Sequence, residues 1–270
     1  VADHSTGGTW DPIVTPWHLD EPIPAFPVPA SATETICPTL PAGPVPARMS
    51  LLHQAVADAV ARAARPLVLS GDCPTALGVV AGLQRRYHDL AVVWLDAHGD
   101  FNTPAITASG YLGGMALAML TGRTPELLGD ALGLRRVADT NVVLADARDL
   151  DPGERDALSA SQVRRVPADP AAITSALDGL GRTPVYLHLD IDVVDSAQLP
   201  GLRFPSGPGP SLTQIEECLA AICTTAEVRA ACIACAWLPG HVSDQTTRET
   251  ITRLARALGT DLAWHEPTGR

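Results

Sequence analysis

Val92-Val93-Trp94-Leu95-Asp96-Ala97-His98-Gly99-Asp100-Phe101-Asn102-Thr103-Pro104 decides how this chain is read. Four apolar residues in a row, closed downstream by glycine and proline, predict a strand buried on both faces. Asp96, His98 and Asp100 follow at its C-terminal end, spaced by two. Burying unpaired charge is costly, so three such side chains do not continue into an apolar layer. They can converge where the strand ends and a cation waits at its tip. Mixed carboxylate and imidazole donors suit Mn, Zn or Fe and argue against an all-oxygen Mg or Ca cage. On this segment alone, a strand running into an ordinary polar loop is an equally good reading.

A second tip changes the balance. Val185-Tyr186-Leu187-His188-Leu189-Asp190-Ile191-Asp192-Val193-Val194-Asp195 is another short apolar strand ending in carboxylates spaced by two. In an open parallel sheet the carboxyl ends of the strands share one border, where ligands bind. Asp96, His98, Asp100, Asp190 and Asp192 would then meet in one crevice. That is too much negative charge for one small ion, and two divalent ions with bridging carboxylates fit better. His188, further back on its strand, reads as a core histidine.

Asp-Ala-His-Gly-Asp (96–100) together with Asp-Ile-Asp-Val-Val-Asp (190–195) resembles the arginase, agmatinase and formiminoglutamase family, the ureohydrolases. The resemblance runs from about Ser70 to Leu258. It implies a three-layer α/β/α arginase-like fold with a central, mostly parallel sheet and a centre of two Mn2+ ions. The metal ligands it implies are Asp96, His98, Asp100, Asp190 and Asp192, with Asp96, His98 and Asp100 taking part in catalysis. The family turn Gly-Gly-Asp-His-Ser stands here as Gly71-Asp72-Cys73-Pro74, so Cys73 occupies the place of the first histidine ligand. A thiolate can hold a divalent metal although it is softer than Mn prefers, and an unligated thiol beside a weakened site fits the sequence equally well.

The resemblance extends to two substrate loops. Asn102 and Ser109 stand where the family holds a substrate α-carboxylate, as neutral hydrogen-bond donors. Asp151 and Glu154, in Arg148-Asp149-Leu150-Asp151-Pro152-Gly153-Glu154, stand where it grips the α-ammonium. Taken alone, that run is an ordinary helix start with acids favoured by the helix dipole. Two departures accompany these matches. Gly113 replaces the family's proton-shuttle histidine, with Tyr111 two residues away, and Ala236 stands where a glutamate binds the guanidinium.

Composition agrees with one large catalytic domain over residues 47–270, preceded by a proline-rich arm over 1–46. Proline at the arm's density predicts no regular helix or central strand there, and its aromatics predict that it lies over the domain or a neighbouring subunit. His4 and His18 read as surface residues. The core must be aliphatic, since 46% of residues are hydrophobic and only 4% aromatic. Net charge is −11 and every basic residue is arginine, without a basic stripe, which argues against nucleic acid or an anionic membrane as partner. No apolar run approaches the ~20 residues of a spanning helix. No secretory pattern opens the chain, and the six cysteines are too scattered for a disulfide scaffold, so the expectation is a reduced, cytoplasmic protein. Cys232-Ile-Ala-Cys235 has redox or zinc spacing, but within an apolar run it reads as buried thiols.

Further elements follow from pattern. Leu51, Leu52, Val56, Val60 and Ala64 predict a helix over 47–64, with strands at 66–70, 141–145, 163–166 and 230–237. Helices are expected over 75–87, 169–180 and 245–258, a capping box Ser211…Gln214 opening another, and an outer strand over 261–265. The resemblance implies a hydrolase that opens the guanidino group of arginine or a modified arginine such as Nω-hydroxyarginine, releasing urea or hydroxyurea, in a branch serving secondary metabolism. It also implies a trimer or hexamer. The alternative, carried by the three departures, is a catalytically weak or inactive homologue that works by binding.

Overall fold

The first strand lies where proline density predicted none. The computed structural model describes residues 9–234 and 244–265. Strand β1 (Asp11–Thr15) leads into a small antiparallel hairpin, β2 (Trp17–His18) with β3 (Glu21–Pro22), and β4 (Glu34–Thr35) follows. Helix α1 (Val45–Arg62) and strand β5 (Pro66–Ser70) come next, then α2 (Thr75–Leu83) and β6 (Ala91–Asp96). Two short helices, α3 (Ala116–Leu120) and α4 (Gly129–Leu132), precede β7 (Val142–Asp146), α5 (Pro152–Ser159), β8 (Arg164–Val166) and α6 (Pro170–Asp178). The chain then forms β9 (Val185–Asp190), α7 (Leu212–Thr225), β10 (Val228–Ala234) and α8 (Asp244–Ala257).

Eight strands make one sheet in the order β4-β1-β5-β10-β9-β6-β7-β8, every pairing parallel. Period-two alternation divides each strand between two cores. Val68, Val92, Trp94, Leu144 and Cys232 face the layer that holds α1 and α2. Leu69, Val93, Leu95, Leu187 and Ile233 face the layer of α6, α7 and α8. Burial on both sides is why these strands read as continuous apolar runs. The three-layer α/β/α arrangement matches the expected fold.

The β1 strand corrects the reading of the arm. Asp11, Ile13 and Thr15 point their backbone groups at β5, with Asp11 N donating to Arg65 O. Pro12 and Val14 point the other way: Pro12 O accepts Thr33 N and Val14 O accepts Ile36 N. The amide hydrogen that Pro12 lacks is therefore missing on the side of two-residue β4, where no ladder bond is lost. The outer strand expected over 261–265 does not form. That segment instead makes single ties: Ala263 O accepts Ala30 N, and Trp264 Nε1 donates to Thr252 Oγ1. The capping box is present, with Ser211 Oγ accepting Gln214 N and Gln214 Oε1 accepting Ser211 N. His188 is fully buried, stacked on Trp94 at 3.7 Å with its Nδ1 2.8 Å from Tyr186 Oη. His4, Cys235, Ala236 and the last part of the 230–237 strand lie outside the described residues.

Candidate metal centre and substrate pocket

The eight strands of the main sheet being parallel, their C-terminal ends meet at one border. Ser70 pairs with Ala234, Ala234 with Asp190, and Leu189 with Leu95, so the tips of β5, β10, β9 and β6 are level. The turn after β5 is fixed by Asp72, whose Oδ1 accepts Thr75 N and Thr75 Oγ1 at the start of α2 while its Oδ2 accepts Leu19 N. Cys73 is thereby held under the border, its Sγ donating to Asp190 Oδ2 at 2.9 Å. Beyond β6 the chain folds back on itself: His98 N donates to Asp96 Oδ1 at 2.7 Å and Ala97 N to Asp192 Oδ1 at 3.3 Å. Asp100 then takes a left-handed φ of 48°, which turns its carboxylate back toward the tips. Gly99 has no room for a side chain, because a Cβ there would lie 2.7 Å from Glu154 Oε1.

Two groups of donor atoms result. Cys73, Asp96 and Asp100 bring one ligand atom each within 4.8 Å of one another, and so do Asp96, His98 and Asp192. Asp96 belongs to both, which suits a bridging carboxylate. Asp190 lies between them, with Oδ2 on Cys73 and Oδ1 accepting Asp192 N at 2.9 Å. Behind the centre, Trp94 Nε1 donates to Asp96 Oδ2 at 3.0 Å and fixes that carboxylate. All six residues expected as ligands are thus in one place.

The electrostatics of the cluster favour a bound cation. Burial first, then Asp96 and Asp190, push the Asp100 carboxyl well above its usual range. Burial followed by Asp190 and Asp96 does the same to Asp192, and burial with Asp96 moves Asp190 up to about 7. Burial, Asp190, Asp100 and Asp96 together raise the Cys73 thiol far above its usual value. For Asp96, burial is outweighed by the bonds and charge of His98, so its carboxyl falls. His98 Nδ1 sits 3.0 Å from Asp192 Oδ2 and 3.4 Å from Asp96 Oδ1. Against burial, these two carboxylates lift its pKa to about 12. Asp100 Oδ2 is buried with no hydrogen-bond partner among the described residues. Four buried aspartates facing one imidazole, with an orphaned oxygen among them, fit divalent cations as the missing countercharge.

A cavity of about 380 Å³ opens above the centre. Asn102, Ser109, Asp151 and Glu154 all line it, as the sequence led one to expect. They are not equally available. Asn102 Nδ2 donates to Asp151 Oδ2 at 3.1 Å, while Asn102 Oδ1 is buried without a partner. Glu154 is only 3% exposed, accepts Phe101 N at 2.8 Å, and has its carboxyl raised by burial. Ser109 is exposed, with its hydroxyl accepting Tyr111 N at 3.2 Å. Sequence reading gave no role to Asp72, Asp149 or Phe204, which also belong to the wall. Asp149, 4.0 Å from His98 Nε2, stands in the same Arg-Asp-Leu-Asp run as Asp151, so the signal was present.

The model of the arginase family matches residues 28–258. The chain belongs to the arginase family. Its similarity to the Nω-hydroxy-L-arginine amidinohydrolase of Streptomyces lavendulae is 34% identity over 146 residues, covering 54% of this chain and 52% of that one. The arginase of Bacillus subtilis (strain 168) is 36% identical over 154 residues, 52% of this chain and 50% of its own length. The chain thus matches about half the length of these curated relatives. Among solved structures, arginase from Bacillus cereus superposes with a TM-score of 0.81 at 24% identity, covering 93% of this chain and 98% of the other, a likeness of fold. No helix among the described residues is long and apolar enough to cross a membrane.

Proposed function

We propose that this member of the arginase family is a metal-dependent amidinohydrolase acting on the guanidino group of an α-amino acid, arginine or a modified arginine such as Nω-hydroxyarginine. The observation that carries the reading is the pair of donor groups sharing Asp96, at the floor of a cavity whose wall presents Asn102, Ser109, Asp151 and Glu154. Two Mn2+ ions held by Cys73, Asp96, His98, Asp100, Asp190 and Asp192 would lower the pKa of water toward neutrality and so supply a nucleophile at pH 7. The protein's own groups complete the chemistry. Asp100, with an unpaired oxygen facing the centre, accepts the proton of the attacking water. Asp151 and Glu154 supply negative charge for an α-ammonium, and Asn102 with Ser109 supplies polar contacts at the other side of the head group. Urea would leave from arginine and hydroxyurea from Nω-hydroxyarginine. The modified substrate and a role in secondary metabolism are favoured by the Streptomyces relative and by cysteine at position 73. The free thiols of Cys37, Cys73, Cys218, Cys223 and Cys232 support a reducing, cytoplasmic setting.

Incubating the Mn-loaded protein with arginine, Nω-hydroxyarginine and the decarboxylated amine agmatine, and assaying urea, hydroxyurea and ornithine, tests the reading. Turnover of the two amino acids is expected, with agmatine slower by roughly 2–5 kcal/mol of lost charged contacts. Release of nothing from any of them, with metal bound, would favour the rival view of a binding protein that has lost catalysis.

Cys73 makes a separate prediction. Its sulfur lies with Asp96 and Asp100 in the first donor group and already points at Asp190, so we propose that it ligates as thiolate. Cobalt-loaded protein should then show a sulfur-to-metal charge-transfer band that vanishes in Cys73→Ser, and Zn or Co should outcompete Mn at this site. A Cys73→Ala variant whose Mn affinity matches the parent at both sites would show that position 73 does not touch the metal.

A further inference from the structure

Amidine hydrolysis leaves the protein with a second task besides making a nucleophile. The departing amine is a strong base, and the C–N bond breaks readily only if that nitrogen receives a proton as it goes. Few groups around the cavity can give one. Cys73, His98, Asp100 and Asp192 belong to the donor groups of the proposed metal centre, and Asp190 is tied to both. Asp72 has both oxygens committed, to Leu19 N and to Thr75. Glu154 is held on Phe101 N, and the Asn102 amide does not exchange protons as an acid. Tyr111 remains.

Its position is unusual. Gly113 is buried at the cavity wall, and a Cβ built there would fall on the Tyr111 ring, at Cε1, Cζ and the hydroxyl. The phenol thus fills the space that a side chain at 113 would enter. Phe204 supports it from one side, ring centroids 5.0 Å apart. On the other side lies His18 of the β2–β3 hairpin, its ring nearly parallel at 16°, with Nε2 3.2 Å from the Tyr111 hydroxyl. His18 Nδ1 is 3.4 Å from Gly71 O. A carbonyl can only accept, so Nδ1 carries a hydrogen and Nε2 faces Tyr111. Both residues are half-buried, so the imidazole communicates with solvent while the phenol communicates with the cavity. The histidine that the sequence suggested was a bystander is joined to the pocket by a segment 93 residues away.

We propose that Tyr111 and His18 form a proton relay to the leaving amine, a role that rests on the hydrolase reading above. With His18 protonated, Nε2–H donates to the Tyr111 oxygen, leaving the phenolic hydrogen free to point into the cavity. Once water oxygen has bonded to the guanidino carbon, the C–N bond breaks with its electron pair remaining on the departing nitrogen. That nitrogen takes the Tyr111 hydroxyl proton, Tyr111 takes the Nε2 proton of His18, and neutral His18 is recharged from solvent. With His18 neutral, the Tyr111 hydroxyl is turned toward Nε2 and away from the substrate. Burial first, and then the negative charge of Asp72, Cys73, Asp100 and Asp190, raises the phenol, so Tyr111 rests in its protonated form and serves as a conduit. The charged groups around His18 are Asp72, which holds the next residue's amide, Glu21 directly across the hairpin, and Asp20, which is paired with Arg48.

Tyr111→Phe keeps the ring and removes the proton, and His18→Gln keeps a hydrogen-bonding side chain that cannot carry charge. In the metal-loaded enzyme, Tyr111→Phe should lower kcat about 100-fold with KM within about threefold of the parent. His18→Gln should lower kcat about tenfold, again with KM within about threefold of the parent. Independently of activity, the His18 ring resonances of the metal-free protein, identified by their loss in His18→Gln, should change chemical shift in Tyr111→Phe, because the hydroxyl on Nε2 is gone. A Tyr111→Phe enzyme with unchanged kcat, or one in which only KM rises, overturns the relay and leaves the hydrolase reading standing. A His18 ring indifferent to Tyr111→Phe overturns the pair as well. A parent protein that binds metal but turns over no guanidino compound overturns the hydrolase reading and the relay with it.

Discussion

Asp190→Ala should cost both bound metal and turnover. Asp190 touches Cys73 in the first donor group through Oδ2 and the backbone of Asp192 in the second through Oδ1. No other carboxylate apart from Asp96 is placed between the two groups among the described residues. Removing it should leave each ion one anionic oxygen short. The several kcal/mol that metal ions contribute to such a transition state translate into a loss of at least about 10³-fold in kcat/KM. Metal analysis of the purified variant should return fewer than two ions per chain, with the melting profile of the metal-free protein intact. An Asp190→Ala protein that keeps two ions and full turnover would end the two-metal account.

Asp100→Asn should separate stability from activity. Buried beside Asp96 and Asp190, the Asp100 carboxyl titrates far above its ordinary range in the folded protein. In the unfolded chain it loses its proton near pH 4. Between those two values the metal-free folded state holds the extra proton, so its stability falls as pH rises. Asparagine has the same shape, tolerates the φ of 48° at this position, and carries no charge to desolvate. The metal-free Asp100→Asn protein should therefore be more stable than the parent at pH 8, by about 1–3 kcal/mol, with the difference closing toward pH 4. A gain of that size corresponds to roughly 2–4 °C in Tm per kcal/mol for a chain of this size class. Activity should fall by at least about 100-fold because the proposed proton acceptor is gone. Equal or lower stability at pH 8 would mean that Asp100 is not under electrostatic stress, and the argument for a cation at this centre would lose its support.

The clustering of the candidate metal ligands was legible because their chemistry is local. Asp96, His98 and Asp100 lie within five residues, Asp190 and Asp192 within three, and each set follows a run of apolar residues that can only be a buried strand. Parallel pairing then brings the two sets together without further information. The β1 strand was hidden because proline speaks against strands in general, and only the direction of the Pro12 amide shows why this one is harmless. Asp261–His265 has strand-like composition but no partner ladder, which no local pattern reveals. The Tyr111–His18 pair was illegible for the opposite reason: neither residue carries a spacing signal, and the contact exists only after the hairpin has been laid across the turn at Gly71. Glu154 shows a subtler limit. Its acidic type and place were read correctly, yet its commitment to the backbone of Phe101 follows from the close approach at Gly99.

The ends of the strand order carry a consequence for self-association. A sheet buried on both faces still offers unpaired backbone groups along its two outermost strands, and long flat ones invite another chain to add on. Here one outermost strand is the two-residue β4, with Glu34 paired to Arg62 across its flank. The other is the three-residue β8, which presents the exposed side chains of Arg164 and Arg165. A neighbouring copy therefore finds at most three residues of template on either side, one flanked by an ion pair and the other by two guanidinium groups. Among the described residues, both borders of the eight-stranded sheet therefore disfavour continuous strand-to-strand growth.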